Sequence, residues 1–377
     1  MIAKSTLLED ISAEKIAAGV RRVLRAAYSN EPCSGREIQK LLAVGRKGEV
    51  RWLVDLRAKR ATDSVWKSWI PYSKKARIAW AALRWSLKLG IIRFMPGVFF
   101  IKVPSGRFGK WAEDAPELKE HAPVIFIGKP SSTEKLTVFL GDKRGRIAAV
   151  AKLALTEKAV DSIGNEANVL RQLQGVVPGI PRLISSRVRT GICVEEWVEG
   201  KSIGRRLTKK HLWLLFTLPR TGGKARLEDK FQLLIQSLTP EHRRIAEGSA
   251  VDAGCSGELP TVWEHGDFTP WNLKRTSAGD LILFDWEYAS PNGLPLLDLL
   301  HFFYRQEYLF RDAGDVIRKF KENEFVREYC RVFQLSHKVQ EELAVYYLLR
   351  SLLYQIPSLS PSETYESFVT RQLKKIR

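Results

Sequence analysis

Apolar and polar positions divide the chain into a helical first part and a strand-rich second part. Helical apolar spacing predicts helices over residues 13–28, 34–42, 49–59 and 72–89. The last of these ends at Gly90, a favourable residue for ending a helix. Apolar runs on either side of Met95-Pro96-Gly97 then predict a hairpin over 91–103. The polar stretch 105–120 that follows predicts a domain boundary.

From residue 122 the pattern changes to short apolar runs separated by turns. An antiparallel meander is predicted at 124–127, 135–140 and 147–155, followed by a helix at 157–174. Two more strands are predicted at 182–188 and 191–198. Beyond Gly200 the pattern is mostly helical, with a loop-and-strand block at 263–288 and the clearest helices at 294–308 and 340–354.

These patterns predict three regions in the 377-residue chain. Residues 1–115 form a basic, mainly helical region. Residues 116–200 form an antiparallel sheet with one helix, and residues 201–377 form a helical region that carries a loop-and-strand block.

Charge sets the first region apart from the rest. The formal net charge of the chain is +19, and residues 36–110 contain 18 basic and 4 acidic residues. A positive field of this strength attracts phosphates, anionic lipids or nucleic acid. The wide apolar face of 72–89 is more typical of a core-facing helix whose basic stripe is merely solvated. The functional alternative is that residues 36–110 bind an anionic membrane surface or an anionic acceptor. Nucleic acid is the less favoured alternative, because the predicted helices followed by a hairpin resemble a winged-helix arrangement.

The first ten residues lack the basic-then-apolar order of a signal peptide, and no apolar run is long enough to cross a bilayer. We therefore expect a cytoplasmic protein, with a peripheral position at the inner face of the membrane as a further expectation.

Candidate chemistry is concentrated in the loop-and-strand block. Asp267 lies in a loop, Asn272 follows five residues later, and Asp285 ends the short apolar strand 281–284. Phosphoryl transfer from a nucleotide needs such a set, in which one carboxylate accepts a hydroxyl proton while an amide and a second carboxylate hold Mg²⁺. Each residue alone is equally typical of a turn or a cap. The set with this spacing favours catalysis.

This stretch resembles the family of aminoglycoside phosphotransferases and choline kinases. The family pattern H-G-D-x-x-x-x-N is matched from His265 to Asn272, and its D-x-E is matched from Asp285 to Glu287. Gly293, Pro295 and Asp298 match the segment that follows, so the resemblance spans about 122–300. It implies a bilobal α+β protein-kinase-like fold, in which an antiparallel-sheet N-lobe precedes a helical C-lobe, here after the basic N-terminal region.

The resemblance also implies partners upstream. A strand lysine should contact the α- and β-phosphates, and a helix glutamate should pair with it. Ala149-Val150-Ala151-Lys152 resembles the strand motif, and Glu166 lies on the next predicted helix. Glu157 is a weaker rival because it lies at the start of that helix. His265 and Asp298 are expected to brace the catalytic loop, and the role of Glu287 is open.

Four more residues are candidates for binding the nucleotide. Ser131 and Ser132 lie in the turn between the first two meander strands, where hydroxyl and N–H groups could meet phosphate, although a plain polar turn fits equally well. Glu196 and Val198 lie at the hinge position, where their backbone groups would face an adenine edge.

The sequence therefore predicts a kinase that uses ATP and Mg²⁺ to phosphorylate a hydroxyl group of a non-protein acceptor. The net charge of +19 disfavours a polycationic aminoglycoside and favours a sugar or a glycolipid of the cell envelope. A choline- or ethanolamine-type acceptor is an alternative, with Trp271, Trp286 and Tyr288 as cage candidates. The rival class is a binding protein, either an inactive kinase-fold scaffold or a nucleic-acid-binding protein.

Overall fold

A computed structural model describes most of the chain. The described residues are 38–46, 49–69, 71, 74–104, 115–128, 131–142, 144–247, 257–310, 315–354 and 364–376. The predicted helix at 13–28 lies outside them. The chain divides into two compact units, one of Met1–Gln174 with Pro181–Ser202 and the other of Gly175–Ile180 with Ile203–Arg377.

An eight-stranded antiparallel sheet forms the centre of the first unit. Its strands are β1 (Ile38–Arg46), β2 (Glu49–Asp55), β3 (Val98–Pro104), β4 (Ala122–Ile127), β5 (Lys135–Gly141), β6 (Ile147–Ala154), β7 (Leu183–Arg187) and β8 (Ile192–Glu196). They lie in the order β3-β1-β2-β4-β5-β6-β8-β7. The helices of this unit are α1 (Lys59–Ser68), α2 (Lys74–Leu89) and α3 (Glu157–Leu173), and the two-residue strand β9 (Lys201–Ser202) ends it.

The predicted meander at 124–155, the helix that follows it and the two later strands correspond to β4 to β8 and α3. The predicted helix at 72–89 corresponds to α2. The helices predicted at 34–42 and 49–59 are wrong, because the described residues there form β1 and β2. Residues 41–44 of β1 are buried on both faces of the sheet. A strand of this kind is an unbroken apolar run, which periodicity cannot distinguish from a helix.

The hairpin predicted at 91–103 is also wrong. Ile92–Phe94 is a 3-10 turn, and β3 pairs instead with β1, with Leu42 opposite Phe100. The described residues therefore contain no winged helix, and those within 38–104 form three strands and two α-helices.

The sheet continues through the boundary that the sequence predicts at 115/116. Strand β2 pairs with β4, with Trp52 opposite Phe126, and both strands belong to one compact unit. Residues 38–104 are therefore not a domain separate from the strands that follow. Strand β4 has a hydrogen-bonding neighbour on each side, with β2 on one side and β5 on the other.

Two apolar clusters cover the faces of this sheet. Successive residues of β1 contribute alternately, with Leu41 and Ala43 in one cluster and Leu42 and Val44 in the other. The second cluster joins residues of α1 and α2 to strand residues on both sides of the predicted boundary: Trp66, Leu87, Trp52, Val124, Phe139 and Val150. The N-terminal elements thus share one core with the meander.

The second unit is mainly helical. Its helices are α4 (Lys209–Thr217), α5 (Leu227–Ser237), α6 (Pro240–Glu247), α7 (Leu297–Phe310), α8 (Val316–Glu322), α9 (Glu324–Val332), α10 (His337–Ser351) and α11 (Tyr365–Ile376). Its strands are β10 (Arg220–Arg226), β11 (Glu258–Glu264), β12 (Leu273–Arg275), β13 (Leu281–Leu283) and β14 (Ser290–Gly293). Strand β11 pairs with β10 and β14, and β12 pairs with β13. Within the described ranges, no helix combines the length and the apolar character that crossing a bilayer requires.

Candidate active site

The first unit pairs the predicted lysine and glutamate. Lys152 Nζ lies 2.5 Å from Glu166 Oε1, and both side chains are buried. Lys152 comes from β6 and Glu166 from α3, so the pair joins the sheet to the helix. Glu157, the rival candidate, lies exposed in the first turn of α3. A buried ammonium held by a carboxylate has a fixed position and is suited to contact a phosphate.

A second carboxylate, which sequence reasoning missed, lies beside this pair. Glu195 Oε1 is 3.4 Å from Lys152 Nζ, and the Glu195 side chain is buried near the end of β8. Strand pairing places Lys152 opposite Cys193, two residues before Glu195. Burial, together with the charges of Glu166 and Glu195, raises the pKa of the Cys193 thiol well above its usual value. Cys193 is therefore a packing residue and not a nucleophile.

The predicted phosphate-binding turn connects β4 and β5. Ser131 is exposed and Ser132 is half-buried. The hydroxyl of Thr156, which caps α3, donates a 2.6 Å hydrogen bond to the Ser132 carbonyl oxygen. This contact ties the turn to the start of the helix that carries Glu166.

The predicted hinge residues lie at the end of β8. The Glu196 N–H donates to the Arg182 carbonyl oxygen at 2.8 Å, and the Glu196 carboxylate lies 3.5 Å from Arg182 Nε. Because the Glu196 N–H already donates to Arg182, the predicted contact of Glu196 with an adenine edge would be made by its carbonyl oxygen. Val198 lies two residues beyond the strand and is half-buried.

In the second unit, Asp298 anchors the predicted catalytic loop. Its two carboxylate oxygens accept hydrogen bonds from the N–H groups of His265 (2.8 Å) and Gly266 (3.0 Å). Gly266 has a positive φ of 80°, and a Cβ there would lie 2.5 Å from the Tyr288 carbonyl oxygen, so only glycine fits. Burial, reinforced by nearby Glu264, raises the pKa of Asp298 to about 7.

His265 braces the same loop in its neutral form. Burial lowers the pKa of His265 to about 4. Its Nδ1 accepts the N–H of Asp267 at 3.2 Å, and its Nε2–H donates to the Phe284 carbonyl oxygen at 3.2 Å. This ring links the loop that carries Asp267 to the residue before Asp285.

Both oxygens of the Asp267 carboxylate are held in place. Asn272 Nδ2 donates to Oδ2 at 2.8 Å and to the Asp267 carbonyl oxygen at 3.0 Å. His301 Nε2 lies 2.8 Å from Oδ1. With 24% of its side chain exposed, Asp267 is fixed in orientation and still accessible.

His301 belongs to no motif, and sequence reasoning did not predict it. It lies on α7, is separated from Asp267 by 34 positions, and is buried. The Tyr347 hydroxyl on α10 lies 3.2 Å from His301 Nδ1. Burial raises the pKa of Tyr347 well above its usual value, so its hydroxyl keeps its proton and can donate to His301 Nδ1. His301 Nε2 then carries the hydrogen that is donated to Asp267.

Asp285 lies just past β13 in a left-handed conformation, with a φ of 71°. A non-glycine residue in this region costs about 1–3 kcal/mol and is characteristic of functional sites. The Phe284 N–H donates to the Asn272 carbonyl oxygen at 3.1 Å, next to the pairing of Leu273 with Leu283. Asn272 and Asp285 therefore flank the open end of one short hairpin.

The donor set at this hairpin suits Mg²⁺. Asn272 Nδ2 is directed to Asp267, which leaves the amide oxygen of Asn272 as its ligand atom, and Asp285 supplies a carboxylate. Among the described residues no three His, Cys, Asp or Glu side chains are grouped to hold a metal by themselves. Mg²⁺ is commonly held by one or two protein groups together with substrate phosphates, and this pair matches that pattern.

The three aromatic cage candidates differ in accessibility. Trp286 is fully buried, and its Nε1–H donates to the Leu283 carbonyl oxygen at 2.9 Å. Its ring packs edge-on against His265, so it belongs to the core. Tyr288 is exposed, and Trp271 is half-buried against Phe310.

The chain is similar to solved structures of small-molecule kinases. An aminoglycoside phosphotransferase matches at 13% identity over 67% of this chain and 92% of that chain, with a TM-score of 0.44. The choline kinase LicA from Streptococcus pneumoniae matches at 15% over 71% and 96%, with a TM-score of 0.43. An aminoglycoside phosphotransferase solved with streptomycin and ATP matches at 16% over 65% and 93%, with a TM-score of 0.40. A scan of protein-family models and a search of curated proteins each found no match.

These structures belong to the family that the sequence motif resembles.

Proposed function

We propose that the chain is an ATP- and Mg²⁺-dependent phosphotransferase that acts on a hydroxyl group of a non-protein acceptor. The observation that carries the proposal is the state of Asp267, whose two carboxylate oxygens face Asn272 and His301 on a loop anchored by Asp298. A carboxylate fixed in this way and still accessible is suited to receive a proton.

In the proposed reaction, Asp267 accepts the proton of the acceptor hydroxyl. The acceptor oxygen forms a bond to the γ-phosphorus of ATP, and the bond from that phosphorus to the ADP oxygen breaks. Lys152, positioned by Glu166, contacts the α- and β-phosphates. Bound Mg²⁺, held by Asn272 and Asp285, would supply charge neutralisation on the phosphates.

Other contacts of ATP are proposed for the turn and the hinge. Ser131 and Ser132 offer hydroxyl and N–H groups to phosphate, and the backbone of Glu196 and Val198 faces the adenine edge. The link from Thr156 to the Ser132 carbonyl oxygen supports a fixed position for this turn.

For the acceptor we propose a sugar, or a glycolipid of the cell envelope. The net charge of +19 disfavours a polycation and favours an acceptor that carries anionic groups. A choline- or ethanolamine-type acceptor is the second candidate, since Tyr288 is exposed. It is less favoured because the Trp286 ring is buried and unable to contact a quaternary ammonium group.

Calorimetry with ATP and Mg²⁺ tests the proposal first. The wild-type protein should bind, Asp285→Ala should abolish the Mg²⁺-dependent affinity, and Lys152→Ala should weaken binding. Lys119→Ala, at an exposed lysine of the same unit, is the control and should bind as wild type. If ATP and GTP both fail to bind with Mg²⁺ present, the phosphotransferase proposal is refuted and the scaffold alternative stands.

A screen of hydroxyl acceptors with radiolabelled ATP then identifies the substrate. The panel should include neutral sugars, phosphorylated sugars, anionic glycolipids, choline and aminoglycosides. We expect transfer to an acceptor that bears anionic groups. Preferred transfer to an aminoglycoside would contradict the electrostatic argument, while leaving the phosphotransferase proposal in place.

A further inference from the structure

Helix α2 presents apolar residues on two opposite faces. Its inner face contains Trp80, Leu83 and Leu87, which pack against the core of the first unit. Trp80 Nε1–H also donates to the Trp66 carbonyl oxygen at 2.9 Å. The outer face contains Ile78, Ala82, Trp85 and Leu89, at helical spacings of four, three and four residues. A helix whose only task is core packing needs apolar residues on one face alone.

The outer face is well exposed. The exposed fraction is 72% for Ile78, 63% for Trp85 and 66% for Leu89. The chain then turns at Gly90 and presents Ile91 and Phe94, the latter 71% exposed. We call these five exposed side chains the docking face: Ile78, Trp85, Leu89, Ile91 and Phe94. Large apolar side chains clustered in this way mark an interaction surface.

Basic residues border the docking face, and one of them, Lys88, also lies 3.4 Å from the Asp63 carboxylate. Lys75, Arg77, Lys88 and Arg93 lie beside it, and no Asp or Glu occurs in the sequence from residue 64 to residue 112. Lys88 Nζ lies 5.5 Å from the centre of the Trp85 ring, and the Arg93 guanidinium lies 4.6 Å from that of Phe94. Two of the cations therefore lie directly against aromatic rings of the docking face.

We propose that the docking face binds an anionic lipid surface. Tryptophan and phenylalanine occupy the boundary between headgroups and acyl chains, while neighbouring lysine and arginine side chains meet anionic headgroups. The charge also disfavours other occupants. A second copy of this chain would oppose cations with cations. A nucleic acid would satisfy the cations but would leave Ile78, Leu89 and Phe94 without an apolar partner.

Co-sedimentation with lipid vesicles tests this proposal, and it requires no nucleotide. The probes are vesicles of phosphatidylcholine alone and of phosphatidylcholine with phosphatidylglycerol, each at low and high salt. We expect the wild-type protein to bind the phosphatidylglycerol vesicles, to release on addition of salt, and to ignore phosphatidylcholine alone. Because the assay needs no ATP, vesicle binding can fail while phosphotransferase activity is present, and the reverse can also occur.

Two variants probe the docking face. An apolar variant combines Trp85→Ser with Phe94→Ser, and a charge variant combines Lys75→Glu with Arg93→Glu. Each should lower the affinity for anionic vesicles by at least about tenfold, since basic and aromatic groups act together at the interface. All four side chains are exposed, so near-UV circular dichroism should match that of wild type.

Matched controls carry the same changes elsewhere. Trp213→Ser with Leu233→Ser alters two exposed apolar residues of the second unit, and Lys374→Glu with Lys375→Glu makes the same change in net charge on α11. Both controls should bind vesicles as wild type does.

Several outcomes would overturn the proposal. These are wild-type vesicle affinity in both docking-face variants, no binding of the wild-type protein to anionic vesicles, and equal loss of affinity in the controls. Tighter binding to duplex DNA than to vesicles would do so as well. So would a dimer, detected by sedimentation velocity, that the apolar variant abolishes.

Discussion

Asp267 has a hydrogen-bonding partner at each carboxylate oxygen, which makes its substitution informative. In Asp267→Asn the new amide group would meet either the Asn272 amide or the His301 Nε2–H, both of which are donors. We expect nucleotide binding to be retained and kcat to fall by about 10²–10⁴-fold, the usual contribution of a general base. Steady-state kinetics with the identified acceptor measures it.

The control is Asp280→Asn, which changes an exposed aspartate in the turn between β12 and β13. It should leave kcat unchanged. Wild-type turnover in Asp267→Asn would show that the carboxylate is not the base.

Substitutions at His301 and Tyr347 should lower kcat to different extents. His301→Gln removes the ring that orients Asp267, whereas Tyr347→Phe removes only the hydroxyl that fixes the ring. We expect kcat to fall by about 10–100-fold in the first and by less in the second, because small displacements of a catalytic group are costly. The pH profile of kcat should shift in both, and calorimetry should show unchanged nucleotide affinity. Unchanged pH profiles in both variants would mean that the two residues only fill space.

The sequence predicted only part of the site at this scale. One short motif contains Asp267, Asn272 and Asp285, so these three residues could be predicted from the sequence. The pairing of Lys152 with Glu166 was predictable because the family that the motif resembles implies a strand lysine paired with a glutamate of the next helix. Glu195 and His301 carry no motif, since each is an ordinary residue of a strand or helix. Only tertiary packing brings them to Lys152 and Asp267.

Gly266 in the catalytic loop has both a positive φ and a close approach to Tyr288, and the costs of the two can be measured separately. Gly266→Ala combines a positive φ with a backbone clash at the Tyr288 carbonyl oxygen. Gly175→Ala is the matched control, because its φ is +79° and a Cβ there would meet nothing within 4 Å. We expect both to destabilise the protein, and Gly266→Ala to cost more than about 1 kcal/mol beyond the control.

Urea unfolding, followed by far-UV circular dichroism, gives both free energies of unfolding. Equal costs in the two variants would contradict the close approach of Gly266 to Tyr288.

Two tryptophans test whether the N-terminal helices belong to the core. Trp66 on α1 is fully buried, and Trp85 on α2 is exposed. Trp66→Ala should lower the free energy of unfolding by about 3–5 kcal/mol, the usual cost of removing a large buried ring. Trp85→Ala should change it by less than about 0.5 kcal/mol. Chemical denaturation of both variants gives the comparison, and similar values would contradict the packing described here.

Strands that are bounded by turn residues were predicted better than strands without such signals, although both kinds are buried on both faces. Strands β4 to β6 are separated by clear turn signals, and α3 follows a threonine cap. Strand β1 contributes residues to both apolar clusters, so its pattern lacks the period of two that would distinguish it. β3 pairs with β1, more than fifty positions away, a contact that local pattern does not encode.

At the scale of the whole molecule, residues 38–104 are required for the first unit to fold. A chain that begins at residue 116 would lose β1 to β3 and both helices that cover Val124, Phe139 and Val150. We expect such a chain to be poorly soluble and to lack the near-UV circular dichroism of the native protein, since a large apolar surface would meet water. A soluble fragment of residues 116–377 with a native-like spectrum would contradict this expectation.

The strand order also has a consequence for the growing chain on the ribosome. Strands β1 to β3 and helices α1 and α2 lie within 38–104, so they are synthesised before β4. They also contact one another. Until residue 127 has emerged, the β2 edge that later receives β4 has no neighbour from the meander. Translation proceeds at about 5–20 residues per second, so this edge waits for seconds at most. The meander strands can then be added to strands that are already present.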